Sequence, residues 1–221
     1  MQNRAGKRGG LAHRLRLVVK TGDALCEPAD VLVCSANVFL SLSGGVGGEL
    51  LRRYGDQMQA PLREFMQSRG IRHVPQGEVV STPGFSGGFR HILHAVAVDA
   101  WYESSPAVVA EVLSKALSRC DALGATKVVL VALATGYGRL SFEDFATGLA
   151  AAAVERFGSV RDLCLVVRSV EAAERIAAVL QRSGVDFVYG GPVAPKGPNS
   201  PGDGGLVLQR DIIHFRSDAG T

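Results

Sequence analysis

No apolar stretch approaches the roughly 18 residues that a membrane-spanning helix needs, so no membrane contact is expected. The first residues also lack the apolar run of a secretory signal, and the expected location is the cytoplasm. Cysteine is scarce and scattered. Cys26, Cys34, Cys120 and Cys164 each stand alone in apolar surroundings, without the Cys-x-x-Cys spacing of zinc or redox motifs. Reduced thiols are the expected state. His13, His73, His91, His94 and His214 show no metal-ligand spacing, and His91 and His94, three apart on a strand, point to opposite faces. No metal and no cofactor are expected. The net charge of +3 is too small to argue for nucleic acid or a membrane surface. The positive charge is nevertheless uneven, since Arg4, Lys7, Arg8, Arg14, Arg16 and Lys20 all precede the first acid, Asp23. Residues 1–14 read as a solvated basic tail, with a nucleic-acid-binding arm as the alternative. No internal repeat is evident.

The sequence is rich instead in short apolar runs and in glycine. Val31-Leu32-Val33 reads as a strand buried on both faces, as in parallel sheets. A first strand over Leu15–Lys20 precedes it, and further strands are expected over Glu78–Thr82, His91–Val98, Lys127–Leu133, Asp162–Val167 and Val185–Tyr189. Helices fit from Glu49 to about Gln59 and from Leu62 to Ser68. Three more helices open on serine caps, Ser105 before Pro106, Ser141 three residues before Asp144, and Ser169. Gly124 and Gly184 close the first and last of them. Alternating strands and helices imply an α/β protein with a mostly parallel sheet covered by helices. From residue 190 onward the composition turns to Gly and Pro, a linker, with Leu206–Phe215 able to add one edge strand.

Between the strand at Val31 and the helix at Glu49 lies Gly44-Gly45-Val46-Gly47-Gly48. A glycine loop entering a helix N-terminus suits phosphate oxygens, because backbone N–H groups can approach closely and the helix end carries partial positive charge. The spacing fits neither the phosphate loop of nucleoside triphosphatases, which ends Gly-Lys-Ser/Thr, nor the dinucleotide fingerprint. A tight strand-to-helix turn remains the alternative. A second glycine loop, Thr135-Gly136-Tyr137-Gly138, follows the Lys127 strand and has the same alternative. Both loops fall at the carboxyl ends of strands, where open α/β sheets bind ligands.

Taken in order, Thr21-Gly22-Asp23, Asp30 to Val33 with Ser35-Ala36-Asn37, the glycine loop, His91 to Val96 and Ala134 to Gly138 resemble the macro domain. That family binds ADP-ribose and related nucleotides, and the resemblance spans about residues 15–183. It implies a three-layer fold over residues 15–189, a mixed, mostly parallel sheet between helices. It also implies the residues of a site. Asp23, with Ala24 beside it, matches the position that accepts a hydrogen bond from the adenine amino group, although an aspartate after glycine also caps turns. Gly44, Gly45, Val46, Gly47 and Gly48 would face Thr135, Gly136, Tyr137 and Gly138 across a diphosphate held by backbone amides alone. Tyr137 would cover the phosphates and distal ribose, in a loop one residue shorter than the commonest version. Asn37 matches the asparagine that reaches the distal ribose and is the candidate catalytic residue, its alternative being a bond to its own backbone.

Three departures from the family pattern bear on chemistry. Gly47 stands where ester-hydrolysing members carry an aspartate, so the sequence supplies no carboxylate there. Glu49 lies two residues on, with complementing the helix dipole as a sufficient reason. Cys34 replaces the first asparagine of the ribose segment, and a buried apolar thiol is inert. Arg168 replaces an aromatic residue and can stack on adenine or pair with a carboxylate, the alternative being an exposed arginine that does neither. Trp101 and Tyr102 read as partly buried packing near the rim. The expected partner is therefore ADP-ribose or a macromolecule carrying it, in a reader of ADP-ribosylation. A mono-ADP-ribosyl hydrolase or O-acetyl-ADP-ribose deacetylase without the usual loop aspartate, and a nucleic-acid-binding module, stay open as alternatives.

Overall fold

The computed structural model describes residues 12–193 and the backbone of residues 213–215. In chain order the strands and helices are β1 (His13–Arg14), β2 (Arg16–Thr21), β3 (Val31–Ala36), α1 (Gly45–Tyr54), α2 (Ala60–Ser68), β4 (Val79–Pro83), β5 (His91–Val96), α3 (Pro106–Ala122), β6 (Lys127–Val131), α4 (Phe142–Ala153), β7 (Arg156–Phe157), β8 (Asp162–Val167), α5 (Val170–Arg182), β9 (Phe187–Tyr189) and β10 (Ile213–Phe215). The main sheet runs β10-β9-β2-β8-β6-β3-β5-β4. The strands from β9 through β5 are mutually parallel, and β10 and β4 add antiparallel edges. This mixed, mostly parallel sheet lies between helices in the three-layer α/β arrangement expected, with α3, α4 and α5 packed side by side.

The central strands follow from their sequences. Val31, Leu32, Val33 and Cys34 of β3 are all 0% exposed, as an uninterrupted apolar run demands in a strand covered on both faces. The three serine caps form as predicted: Ser105 accepts from the Val108 amide, Ser141 from Asp144 and Ser169 from Ala172. The Ser141 hydroxyl also donates to the Asp144 carboxylate at 2.7 Å, which holds the cap in place.

The largest difference from expectation is at α1. It begins at Gly45, inside the glycine run, and ends at Tyr54, where Gly55 turns to φ 75°. The first helical turn passes close to the preceding chain at Gly47 and lies in ordinary contact with it at Gly48. A Cβ on Gly47 would lie 3.1 Å from Leu42 Cδ2, and one on Gly48 3.5 Å from the Ser43 carbonyl carbon. The helix-forming pattern beyond Gly55 becomes a short 3-10 turn at Asp56–Met58. Strands β5 and β6 each stop two residues sooner than their apolar runs suggest, freeing Ala97-Val98 and Ala132-Leu133 for loops. His13–Arg14, at the end of the expected tail, pair with Arg156–Phe157. Residues 1–11 of that tail, and 194–212 and 216–221 of the expected linker, lie outside the described residues.

Candidate functional site

A cavity of about 590 Å³ opens over the carboxyl ends of the parallel strands. Sheet order arranges its walls in a line. Gly22, Asp23 and Ala24 follow β2, Val166 to Arg168 end β8, the Ala134–Gly138 loop follows β6, Ser35 to Asn37 end β3, and Val98 and Tyr102 follow β5. Five neighbouring strands at about 4.8 Å spacing give the cleft a span of about 19 Å. Of the residues singled out in the sequence, Asp23, Ala24, Asn37, Gly44, Gly45, Val46, Gly47, Thr135, Gly136, Tyr137, Gly138 and Arg168 line this one cavity. Gly48 does not; its amide closes the first helical hydrogen bond, to Gly44 O at 2.9 Å.

The two glycine loops meet across the cavity. Gly44, extended at φ −169°, caps α1 without a side-chain hydrogen bond. The helix geometry leaves the N–H groups of Gly45, Val46 and Gly47 without intrahelical i−4 acceptors. On the other side, Ala134 and Arg139 take left-handed φ values of 61° and 52°, bracketing the loop after β6. That loop is held by its own frame: Ala134 N to Ser35 Oγ at 3.2 Å, Leu140 N to Ala134 O at 3.1 Å, Arg139 N to Gly136 O at 3.1 Å, and Thr135 Oγ1 to Ala132 O at 3.0 Å. The amides of Gly136, Tyr137 and Gly138 find no acceptor among the described residues. Tyr137 reaches across so closely that a Cβ on Gly44 would overlap its ring. Its ring also meets Tyr102 edge-on, with centroids 6.1 Å apart. The Tyr137 ring is 68% exposed and lies over the mouth, so it bridges the loops without filling the cavity.

At the β2 end, Asp23 Oδ1 accepts from Leu25 N at 2.9 Å and Oδ2 accepts from the Arg53 guanidinium. Burial works to raise the Asp23 carboxyl, but the Leu25 amide and Arg53 outweigh it and hold it below the usual carboxylate range. Arg53 was not foreseen as a site residue. Its spacing from Glu49 signals only a helix-surface pair, and the Asp23 contact spans 30 residues. Glu49 itself does not line the cavity; Arg52 at 2.8 Å and Arg53 at 3.5 Å engage it. Asp23 is the one carboxylate in the cavity wall among the described residues.

At the β3 end, Asn37 spends its side chain on its own turn. Oδ1 accepts from Phe39 N at 3.0 Å and Ser41 N at 3.2 Å, and Nδ2 donates to Ser41 O at 3.1 Å. Cys34 points away from the cavity into the core, with its Sγ 3.7 Å from His94 Nδ1, while His94 Nε2 lies 2.9 Å from Thr82 Oγ1. Parallel register brings Cys34 opposite His94, a neighbour the sequence spacing did not reveal. Burial pushes the thiol up to about 12 and the imidazole down to about 4, so the pair is neutral and inert. Trp101 corrects the expectation of a packing role: it is 82% exposed, displayed by a turn in which Asp99 Oδ1 accepts from Trp101 N and Glu103 N.

Sequence and structure comparisons point one way. A family profile described as Macro domain matches residues 33–149, just over half of the chain. A macro domain-containing protein of Streptomyces coelicolor is 29% identical over 160 residues, covering 72% of this chain and 95% of the relative. An uncharacterized protein of Pyrobaculum aerophilum is 28% identical over 171 residues, covering 76% and 92%. An uncharacterized Mycobacterium tuberculosis relative is 28% identical over 181 residues, and there the match spans 48% of the relative's length. Among solved structures, the Oceanobacillus iheyensis macrodomain with ADP is similar at TM-score 0.67 and 22% identity, covering 78% of this chain and 95% of that one. The Trypanosoma brucei macrodomain in complex with ADP-ribose is similar at TM-score 0.63 and 19% identity, covering 75% and 69%.

Proposed function

This chain belongs to the macro domain family, and we propose that it binds ADP-ribose, free or carried on a macromolecule, as a reader of that modification. The observation that carries this reading is the pair of amide cradles facing each other across the middle of the cleft. The α1 N-terminus supplies Gly45 to Gly47 and the β6–α4 loop supplies Gly136 to Gly138. Oriented N–H groups and the helix end stabilise a diphosphate without a mobile cation, since their positions are already paid for in folding. The cleft is long enough for a nucleoside on either side of that diphosphate. Asp23 takes the base at the β2 end, Arg168 lies beside it, and Asn37, Tyr137 and Tyr102 surround the distal ribose.

Binding rather than hydrolysis is favoured by the distal end of the cavity. Hydrolysis of a ribosyl ester needs a group that polarises water near the anomeric carbon. Gly47 offers no side chain, Glu49 is engaged outside the cavity, and the wall's carboxylate, Asp23, belongs to the opposite end. A Cβ at Gly47 would lie 3.1 Å from Leu42 Cδ2, so a side chain there would need Leu42 to shift by a few tenths of an ångström.

Isothermal titration with ADP-ribose tests the reading. Saturable heat with one-to-one stoichiometry, competed by ADP but not by ribose alone, is expected. The absence of heat at millimolar ligand would remove the binding claim. Release of free ADP-ribose from a modified protein at catalytic enzyme concentration would replace the reader with a hydrolase.

A further inference from the structure

The carboxylate at the nucleoside end is gripped from behind by the same helix whose front end forms an anion cradle. Arg53, in the last turn of α1, donates to Asp23 Oδ2, and its Nε lies 3.5 Å from Glu49 Oε2 on the same helix. Arg53 does not itself line the cavity, whereas Asp23 does. The Leu25 amide holds the other Asp23 oxygen at 2.9 Å. A carboxylate offers about four lone-pair sites. Leu25 N and Arg53 take two and the Cys26 side chain also bonds the group, which fixes its plane and leaves an acceptor for whatever enters the cavity. No donor of the carboxyl group itself remains while it is ionised.

We infer that Arg53 is a positioning residue that sets base selectivity, by keeping Asp23 an oriented, ionised acceptor that takes an exocyclic amino group and repels a carbonyl oxygen. The inference rests on the assignment of the β2 end to the nucleobase. A 6-aminopurine presents an N–H donor where a 6-oxopurine presents an acceptor. A buried polar contact that loses its partner discriminates strongly, and one facing a like pole discriminates more. The mechanism differs from direct contact. Arg53 acts through Asp23, so its removal changes which base is preferred and the pH at which the preference holds.

The charged groups around Asp23 are few. Arg53 acts on it from α1 and Cys26 from its own turn, while Glu49 engages Arg53 from the far side and Arg168, at the end of β8, lines the same cavity. Only Arg53 among them forms an ion pair with it. Without that guanidinium the carboxyl group rises, because burial is then opposed only by the Leu25 amide and the Cys26 side chain. A protonated Asp23 can donate, and a 6-oxopurine becomes acceptable. The sign is therefore fixed: in an Arg53 variant, selectivity for the amino base is lost at a higher pH than in the wild type.

The test uses the full chain, with ADP-ribose and inosine diphosphate ribose titrated separately between pH 4.5 and 8. Wild type is expected to prefer ADP-ribose by about tenfold or more across this range. Arg53→Met should narrow the preference to less than about threefold at the acid end, and Arg53→Lys should restore most of it. Both proteins see the same ligands, so the titration of adenine itself cancels. Should Arg53→Met unfold, as thermal melting would reveal, Arg53→Gln serves. It keeps a donor to Asp23 without the charge, and the pH at which selectivity collapses should still rise. A variant that weakens both ligands equally, with an unchanged ratio at every pH, overturns the inference and leaves Arg53 a structural tie. A wild type that binds both ligands equally also overturns it while leaving ADP-ribose binding intact. Binding of neither ligand removes the underlying reading instead.

Discussion

Gly138→Ala is the substitution that should separate the cradle from the rest of the fold. A Cβ at this position would lie 2.6 Å from Val98 Cγ1 and 3.0 Å from Ala134 Cα, and would overlap the Ala134 carbonyl oxygen. Backbone of the same loop cannot rotate aside as a side chain would. Restoring ordinary carbon–carbon separation of about 3.5 Å requires the loop to move by about 1 Å. Overpacking of this kind destabilises by about 1–3 kcal/mol. The effect on binding should be larger in proportion, since the displaced amides are those proposed to hold a diphosphate. Hydrogen bonds to a charged group contribute about 1.5–3 kcal/mol each. Losing one raises Kd by about tenfold to a hundredfold. Titration calorimetry gives the affinity and thermal melting the stability. Gly136→Ala, where a Cβ meets nothing within 4 Å, should leave the melting temperature unchanged. A Gly138→Ala protein with wild-type affinity and wild-type melting would refute the assignment of this loop as a rigid donor cradle.

Other consequences are equally measurable. His94 is neutral in the folded state, burial having brought it down to about 4 from 6.5. The unfolded chain therefore binds the proton first, and stability is lost as pH falls from about 6.5 toward 4, by about 3 kcal/mol in all. Urea melts of wild type and His94→Gln should diverge in slope over that window; parallel curves would refute it. Asp30, held at about 2 chiefly by the Thr126 and Lys127 amides against burial, loses its contribution only below that window. Thiol titration should find Cys26 accessible and Cys34, Cys120 and Cys164 protected, so rapid modification of more than one thiol would contradict the packing. Asn37→Ala removes three hydrogen bonds of one turn and should destabilise by about 1–2 kcal/mol in chemical denaturation, even without ligand. An unchanged midpoint would show that the turn does not depend on that side chain.

Much of the architecture was legible because it rests on local rules. Apolar runs marked the central strands, and Ser105, Ser141 and Ser169 marked helix starts at which each serine is the N-cap. Boundaries moved where local propensity met tertiary packing. Gly45, Gly47 and Gly48 are poor helix formers, yet with Val46 they form the first turn of α1, packed against Leu42. The loop glycines and Asn37 could be placed together from the order of motifs, and most of them line one cavity, but contacts between distant positions could not be read. The Arg53–Asp23 pair depends on how α1 leans over the turn after β2, and the Cys34–His94 contact depends on the β3–β5 register. Trp101 shows the opposite failure. Its apolar bulk suggests burial, while the Asp99-capped turn displays it to solvent.

The central claim is that two sets of backbone amides close on one diphosphate. Amide hydrogen exchange, followed residue by residue with and without ADP-ribose in metal-free buffer, tests it most directly. Slowed exchange at Gly45, Val46 and Gly47 together with Gly136, Tyr137 and Gly138 is the predicted result. Protection of only one loop, or of neither while ligand is bound, would contradict it.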